Sequence, residues 1–146
     1  MLDSKRLVKN AMYSQGRTDA LLLQERADEM TGTELHENDF KIPEFDPAKQ
    51  YLDYKPGFTC KSLIGNVVRL LQPYDSIIYP AQPEELPAQW GFKWSTDPAH
   101  AKPFIALSTS PYMTGDCCIF DEKVYRSVID NNVWSPVEHP AGWEAV

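Results

Sequence analysis

From residue 1 to about 42 the apolar positions recur at helical spacing; from Phe45 onward they alternate in short runs broken by proline. Leu7, Val8, Ala11 and Met12 form one stripe, with Ser4 placed to cap it and Gly16 to end it. Leu21, Leu22, Leu23, Ala27 and Met30 form a second stripe, with Thr18 at the cap, Asp19 in the first turn and Gly32 just past the end. The pattern predicts two short helices. Residues 34–44 are polar and acidic and predict a linker.

The remainder reads as β-structure, and it is written twice. Phe58 to Lys61 predicts a strand, Ile64-Gly65-Asn66 a turn, Val67 to Gln72 the hairpin partner, and Trp90 to Trp94 a third strand beyond a proline-rich loop. The same plan returns as Cys117 to Phe120, a turn at Asp121-Glu122, Lys123 to Ile129, and Trp143 to Val146. The framing residues return too: Tyr54-x-x-Gly57-x-x-Cys60 with Pro87-x-x-Trp90, then Tyr112-x-x-Gly115-x-x-Cys118 with Pro140-x-x-Trp143, at a period of roughly 57 residues. The expected fold is mainly β with an α-helical N-terminal segment and two small three-stranded antiparallel β modules in tandem. The expected divisions are 1–42, 43–97 and 98–146. Modules this small bury only a minor core, so they are expected to pack on one another or on the Leu21–Met30 helix. Self-association of the N-terminal helices is the alternative use of their stripe.

Charge and composition narrow the function. The chain has 146 residues, 42% of them hydrophobic and 12% aromatic, as a folded protein does. A net charge of −7 without any basic block disfavours nucleic acid and anionic membrane as partners. The first residues lack the apolar run of a signal peptide, and no stretch is long enough to cross a bilayer, so synthesis in the cytoplasm is expected. Cys60, Cys117 and Cys118 suit neither a disulfide framework nor a zinc site. They read as small strand hydrophobes whose redox state the sequence leaves open.

The frame of Tyr-x-x-Gly, hairpin, strand, Leu71-Gln72-Pro73-Tyr74-Asp75-Ser76 and Pro-x-x-Trp resembles the small chitin-binding modules of carbohydrate-binding families 5 and 12. The second copy resembles them further in Lys123-Val124-Tyr125, Trp134-x-Pro136 and Pro140-x-x-Trp143-x-x-Val146. The first copy departs from the pattern, with Tyr79-Pro80-Ala81-Gln82-Pro83 where Trp-x-Pro stands in the family. The resemblance implies recognition of a sugar by aromatic faces with polar groups beside them. Trp134, with Asn131 and Asn132 just before it, is the first candidate; Trp143, Trp90 and Tyr74 are the others. Similar modules follow short helical leaders in small proteins of phages and prophages, which implies a virion as the location.

No catalytic, metal or cofactor site is expected. His36, His100 and His139 fall in separate segments, and the chain carries no His-Glu-x-x-His, Gly-x-Ser-x-Gly or phosphate loop. Glu84-Glu85 reads as a solvated acidic turn rather than a glycosidase pair. The expected function is non-catalytic attachment to a cell-wall or chitin-like polysaccharide, as a tail or surface component of a phage among other virion proteins. The alternative is an assembly protein whose modules grip protein instead of sugar.

Overall fold

A computed structural model describes residues 16–146. They open in a helix, α1 (16–26), continued by a 3-10 turn at Ala27–Glu29. The helix expected from Ser4 lies outside the described residues. Gly16, expected to end it, is itself helical, and Thr18 sits inside α1 rather than at its cap. Helix α2 (Gly32–Glu37) follows at once. Thr31 Oγ1 accepts from the Glu34 backbone N–H at 3.1 Å while the Glu34 carboxylate reaches back to Thr31, a complete capping box.

Residues 34–44 are therefore not a bare linker. Leu35 and His36 are buried on α2, and Gly32 begins the helix instead of terminating the one before. A Cβ at Gly32 would lie 1.8 Å from the Trp94 carbonyl oxygen. Only glycine lets α2 start this close to that backbone.

Two sheets follow. The first is antiparallel, with β1 (Thr59–Lys61), β2 (Val67–Leu70) and β3 (Trp90–Lys93) in the order β1-β2-β3. The second contains β4 (Lys102–Pro103), β5 (Cys117–Phe120), β6 (Lys123–Ser127) and β7 (Trp143–Ala145), in that order. Three of its strands form the expected antiparallel plan. The fourth, β4, pairs parallel to β5 and makes the sheet mixed.

The first sheet has a rudimentary counterpart of β4. Glu44 forms a parallel bridge with Lys61, and the Phe45 N–H donates to Lys61 O at 2.8 Å, as the Phe104 N–H donates to Ile119 O at 2.8 Å. The repeat thus extends to single hydrogen bonds. Gly57 N–H donates to Leu70 O at 2.7 Å and Gly115 N–H to Ser127 O at 2.8 Å, both glycines at φ +98°. That conformation is readily available only to glycine, which is why the residue type recurs there.

Each sheet gathers an aromatic trio, buried except for the half-buried Phe104 of the second. Tyr51 stacks on Phe45 at 5.4 Å while the edge of Trp90 closes on both; Tyr112 stacks on Phe104 at 5.6 Å while Trp143 closes on both. The Tyr51 hydroxyl accepts from the Asp46 N–H, and the Tyr112 hydroxyl from the Ile105 N–H. Tyr51, not the Tyr54 of the sequence pattern, is therefore the counterpart of Tyr112. Tyr54 packs beside it, half-buried.

The two cores are continuous. Phe92 stacks on Trp94, and Trp94 stacks on Tyr112 at 4.5 Å, so β3 and the residue just past its end carry the rings of the first sheet into those of the second. Ser110 ties the same seam, its hydroxyl accepting from the Phe92 N–H and its carbonyl from the Trp94 indole. On the opposite face of the first sheet, Val67 packs with Leu23, Ala27, Leu35 and Ile42. Alternation along β2 sends Val67 and Arg69 to the helices and Val68 and Leu70 to the aromatic core.

Candidate functional site

The sequence candidates divide sharply by burial. Trp90 is 0% exposed, and its indole N–H donates to the Tyr74 hydroxyl at 2.8 Å. Tyr74 and Trp143 are buried as well. None of these three rings has a face that a sugar could reach, so they are framework residues, and the expectation that they contact ligand is corrected. Burial also drives the Tyr74 phenol upward in pKa, as expected for a ring held in the core.

Asn132 is corrected in the same way. It is fully buried, with its backbone N–H donating to Tyr112 O at 2.8 Å and its carbonyl accepting from Tyr112 N–H at 2.9 Å. Its side-chain amide donates to Ser127 Oγ and to the Gly142 carbonyl. Its side-chain oxygen accepts from the Trp134 N–H at 3.3 Å. Asn132 is the buckle that holds the loop between β6 and β7.

That loop puts Trp134 outside. Its ring is 46% exposed, while its backbone is held from both sides: the N–H by Asn132 and the carbonyl by the Trp143 indole N–H at 2.8 Å. Past it, Glu138 N–H donates to Ser135 Oγ and His139 N–H to Ser135 O, closing a tight turn. The turn brings the His139 imidazole edge-on to Trp134, ring centroids 5.4 Å apart. Asn131, the remaining candidate, is exposed at φ +54°, a left-handed position that Asn tolerates better than most residues. Next to it Asp130 accepts from the Thr114 N–H at 3.0 Å, which holds its carboxyl below the usual carboxylate range.

The candidates left exposed are thus the Trp134 ring and Asn131, with Asp130 on the same loop and a histidine beside the ring. His139 was not among the sequence candidates. Its spacing of five from Trp134 across Pro136 was the available signal, readable only once the turn at Ser135 was known.

The other two histidines come together from their separate segments. His36 lies on α2 and His100 on the turn Pro98–His100, and their rings come within 6.1 Å. His36 Nε2 bonds the Lys93 carbonyl at 2.9 Å, so it serves as a peg between α2 and β3. Glu84 Oε1 accepts from Asn66 Nδ2 at 2.9 Å. Among the described residues no cluster of three or more His, Cys, Asp or Glu side chains is placed to hold a metal ion, and no helix is long and apolar enough to cross a membrane. Cys60 and Cys118 are buried at equivalent positions, their thiols pushed up to about 12 by burial, and all three cysteines are free. No family model, curated protein or solved structure matches the chain.

Proposed function

We propose that this chain is a non-catalytic polysaccharide-binding accessory protein that holds its ligand through the exposed face of Trp134. The observation that carries the reading is the state of that one side chain. Of the four tryptophans, Trp90, Trp94 and Trp143 are buried, whereas Trp134 is held outward by a backbone fixed at both its N–H and its carbonyl. A ring oriented before binding loses little freedom when the C–H face of a pyranose stacks on it. Asn131 and Asp130 supply hydroxyl partners from the same loop. One ring gives weak attachment, so useful retention comes from several copies acting together. A place on a phage tail or surface rests on the sequence resemblance alone.

A second reading, an assembly protein gripping other proteins, is favoured by a different surface. Leu63, Ile64, Ile77, Ile78 and Tyr79 are all exposed on the loops of the first sheet, and Leu63 N–H donates to the Gln82 side chain, linking those loops.

Retention on chitin, peptidoglycan and bacterial cell walls separates the two. Trp134→Ala is expected to lower retention about tenfold with an unchanged circular dichroism spectrum, while Ile64→Ser and Ile78→Ser leave it unaltered. Wild-type protein that passes all three matrices at every concentration would sink the sugar reading in favour of assembly.

A further inference from the structure

Helix α1 presents to solvent a face that the described residues leave uncovered. Arg17, Leu21 and Glu25 succeed one another at i, i+4 and i+8, on one side of the helix. All three are exposed, Leu21 to 66%. Neither Arg17 nor Glu25 has an ion-pair partner among the described residues. Alongside runs an apolar groove of about 310 Å³, walled by Ala20, Leu21, Phe40, Ile42, Pro43 and Phe58, and Phe40 is 74% exposed. Leu22, next to Leu21, is exposed too.

The inner side of α1 is fixed. Gln24 Nε2 donates to Thr59 O at 2.6 Å and Gln24 Oε1 accepts from Thr59 N–H at 2.9 Å, so one carboxamide pairs the outer edge of β1 at Thr59 as another strand would. Leu23 and Ala27 are buried against Val67. The outward apolar residues are therefore not spare core residues awaiting a rotation of the helix.

The charges are antisymmetric about Leu21. At 1.5 Å per residue, Arg17 and Glu25 each stand about 6 Å from Leu21 along the axis, in opposite directions. A second α1 laid antiparallel, with Leu21 on a two-fold axis, sets each Arg17 against the other copy's Glu25. A parallel pairing at the same register sets like charge on like. We propose that this face is the interface of a two-fold homodimer, α1 against α1, with Leu21 and Phe40 as its apolar centre. The interface is isologous, each patch meeting its own copy. Leu21, Leu22 and Phe40 supply the buried area, and the two Arg17–Glu25 pairs fix orientation more than affinity. The proposal does not depend on what Trp134 binds, since it concerns a different face of the chain.

Light scattering of the full chain from about 1 to 100 µM, fitted for a dissociation constant, tests it. The expected result is twice the chain mass with a reversible, concentration-dependent transition. Leu21→Glu is expected to remain monomeric throughout, and Arg17→Glu to weaken the dimer at least about tenfold by setting carboxylate against carboxylate in both pairs. The double reversal Arg17→Glu with Glu25→Arg is expected to return to within about threefold of wild type; weakening in the single variant with rescue in the double marks the antiparallel register, because a parallel pairing sets like charge on like in all three proteins. All the substituted side chains are exposed, so circular dichroism should not change. A monomer at every concentration overturns the proposal and leaves the face to residues 1–15 or to another protein. A trimer, a dimer insensitive to Leu21→Glu, or a double variant as weak as the single also overturns it.

Discussion

At the scale of the residue, two tryptophans of like sequence context and one of unlike context do different work. Trp90 is enclosed by Phe45, Tyr51 and Tyr74 with its N–H satisfied, so Trp90→Ala removes a fully buried ring and leaves a cavity among them. The expected loss is about 3–5 kcal/mol, read as a shift of the urea midpoint at unchanged slope. Trp134→Ala, which empties no core, is expected to stay within about 1 kcal/mol of wild type in the same measurement. Sequence made part of this division visible. Gly57 and Gly115 were legible because a left-handed turn demands glycine in both copies. Tyr51 was not, because in the first copy glycine stands six positions after the tyrosine and in the second it stands three after, and Tyr54 happens to satisfy the shorter spacing. Whether Trp134 faced outward depended on a buckle at Asn132, whose partners Tyr112 and Gly142 are distant in sequence.

Among the elements, α2 carries most of what the hydropathy pattern hid. Its acidic, polar composition reads as linker, yet the capping box at Thr31 and Glu34 was present in the sequence and announces a helix start. Strand β4, two residues in a parallel pair, leaves no local trace, because its hydrogen bonds are all to a strand distant in the chain. Helix α2 also carries a pH dependence. Burial holds the His36 pKa below its ordinary value of 6.5, and the positive charge of Lys102 and His100 adds to the depression against the Lys93 carbonyl and Asp39. The unfolded chain thus binds a proton near pH 6.5 that the folded chain resists. Stability from this residue is complete above that pH and falls as pH drops through 6.5 toward the lower folded value, with a slope of at most about 1.4 kcal/mol per pH unit. Denaturant midpoints at pH 7.5 and 5.5 are expected to differ in wild type and to converge in His36→Asn. Equal differences in the two proteins would assign the effect elsewhere.

For the whole molecule, the stack of Phe92, Trp94 and Tyr112 sets the unit of cooperativity. The two sheets share one core cluster, and neither closes it alone. Calorimetry of the full chain is expected to show one transition with calorimetric and van't Hoff enthalpies in agreement, whereas Trp94→Ala is expected to lower and broaden it. Two resolved transitions in wild type would show that the seam at Ser110 does not bind the sheets energetically. The duplicated frame carries a further consequence, for how such a chain changes over generations. It accepts the five-residue connection 62–66 in one copy and the tight Asp121-Glu122 turn in the other, and it accepts an apolar loop at Ile77–Tyr79 in one and a tryptophan-bearing loop in the other. The rings that hold the sheets are the same in both. Recognition can therefore be gained, lost or exchanged by rewriting a loop while the inherited scaffold beneath it stays as it is.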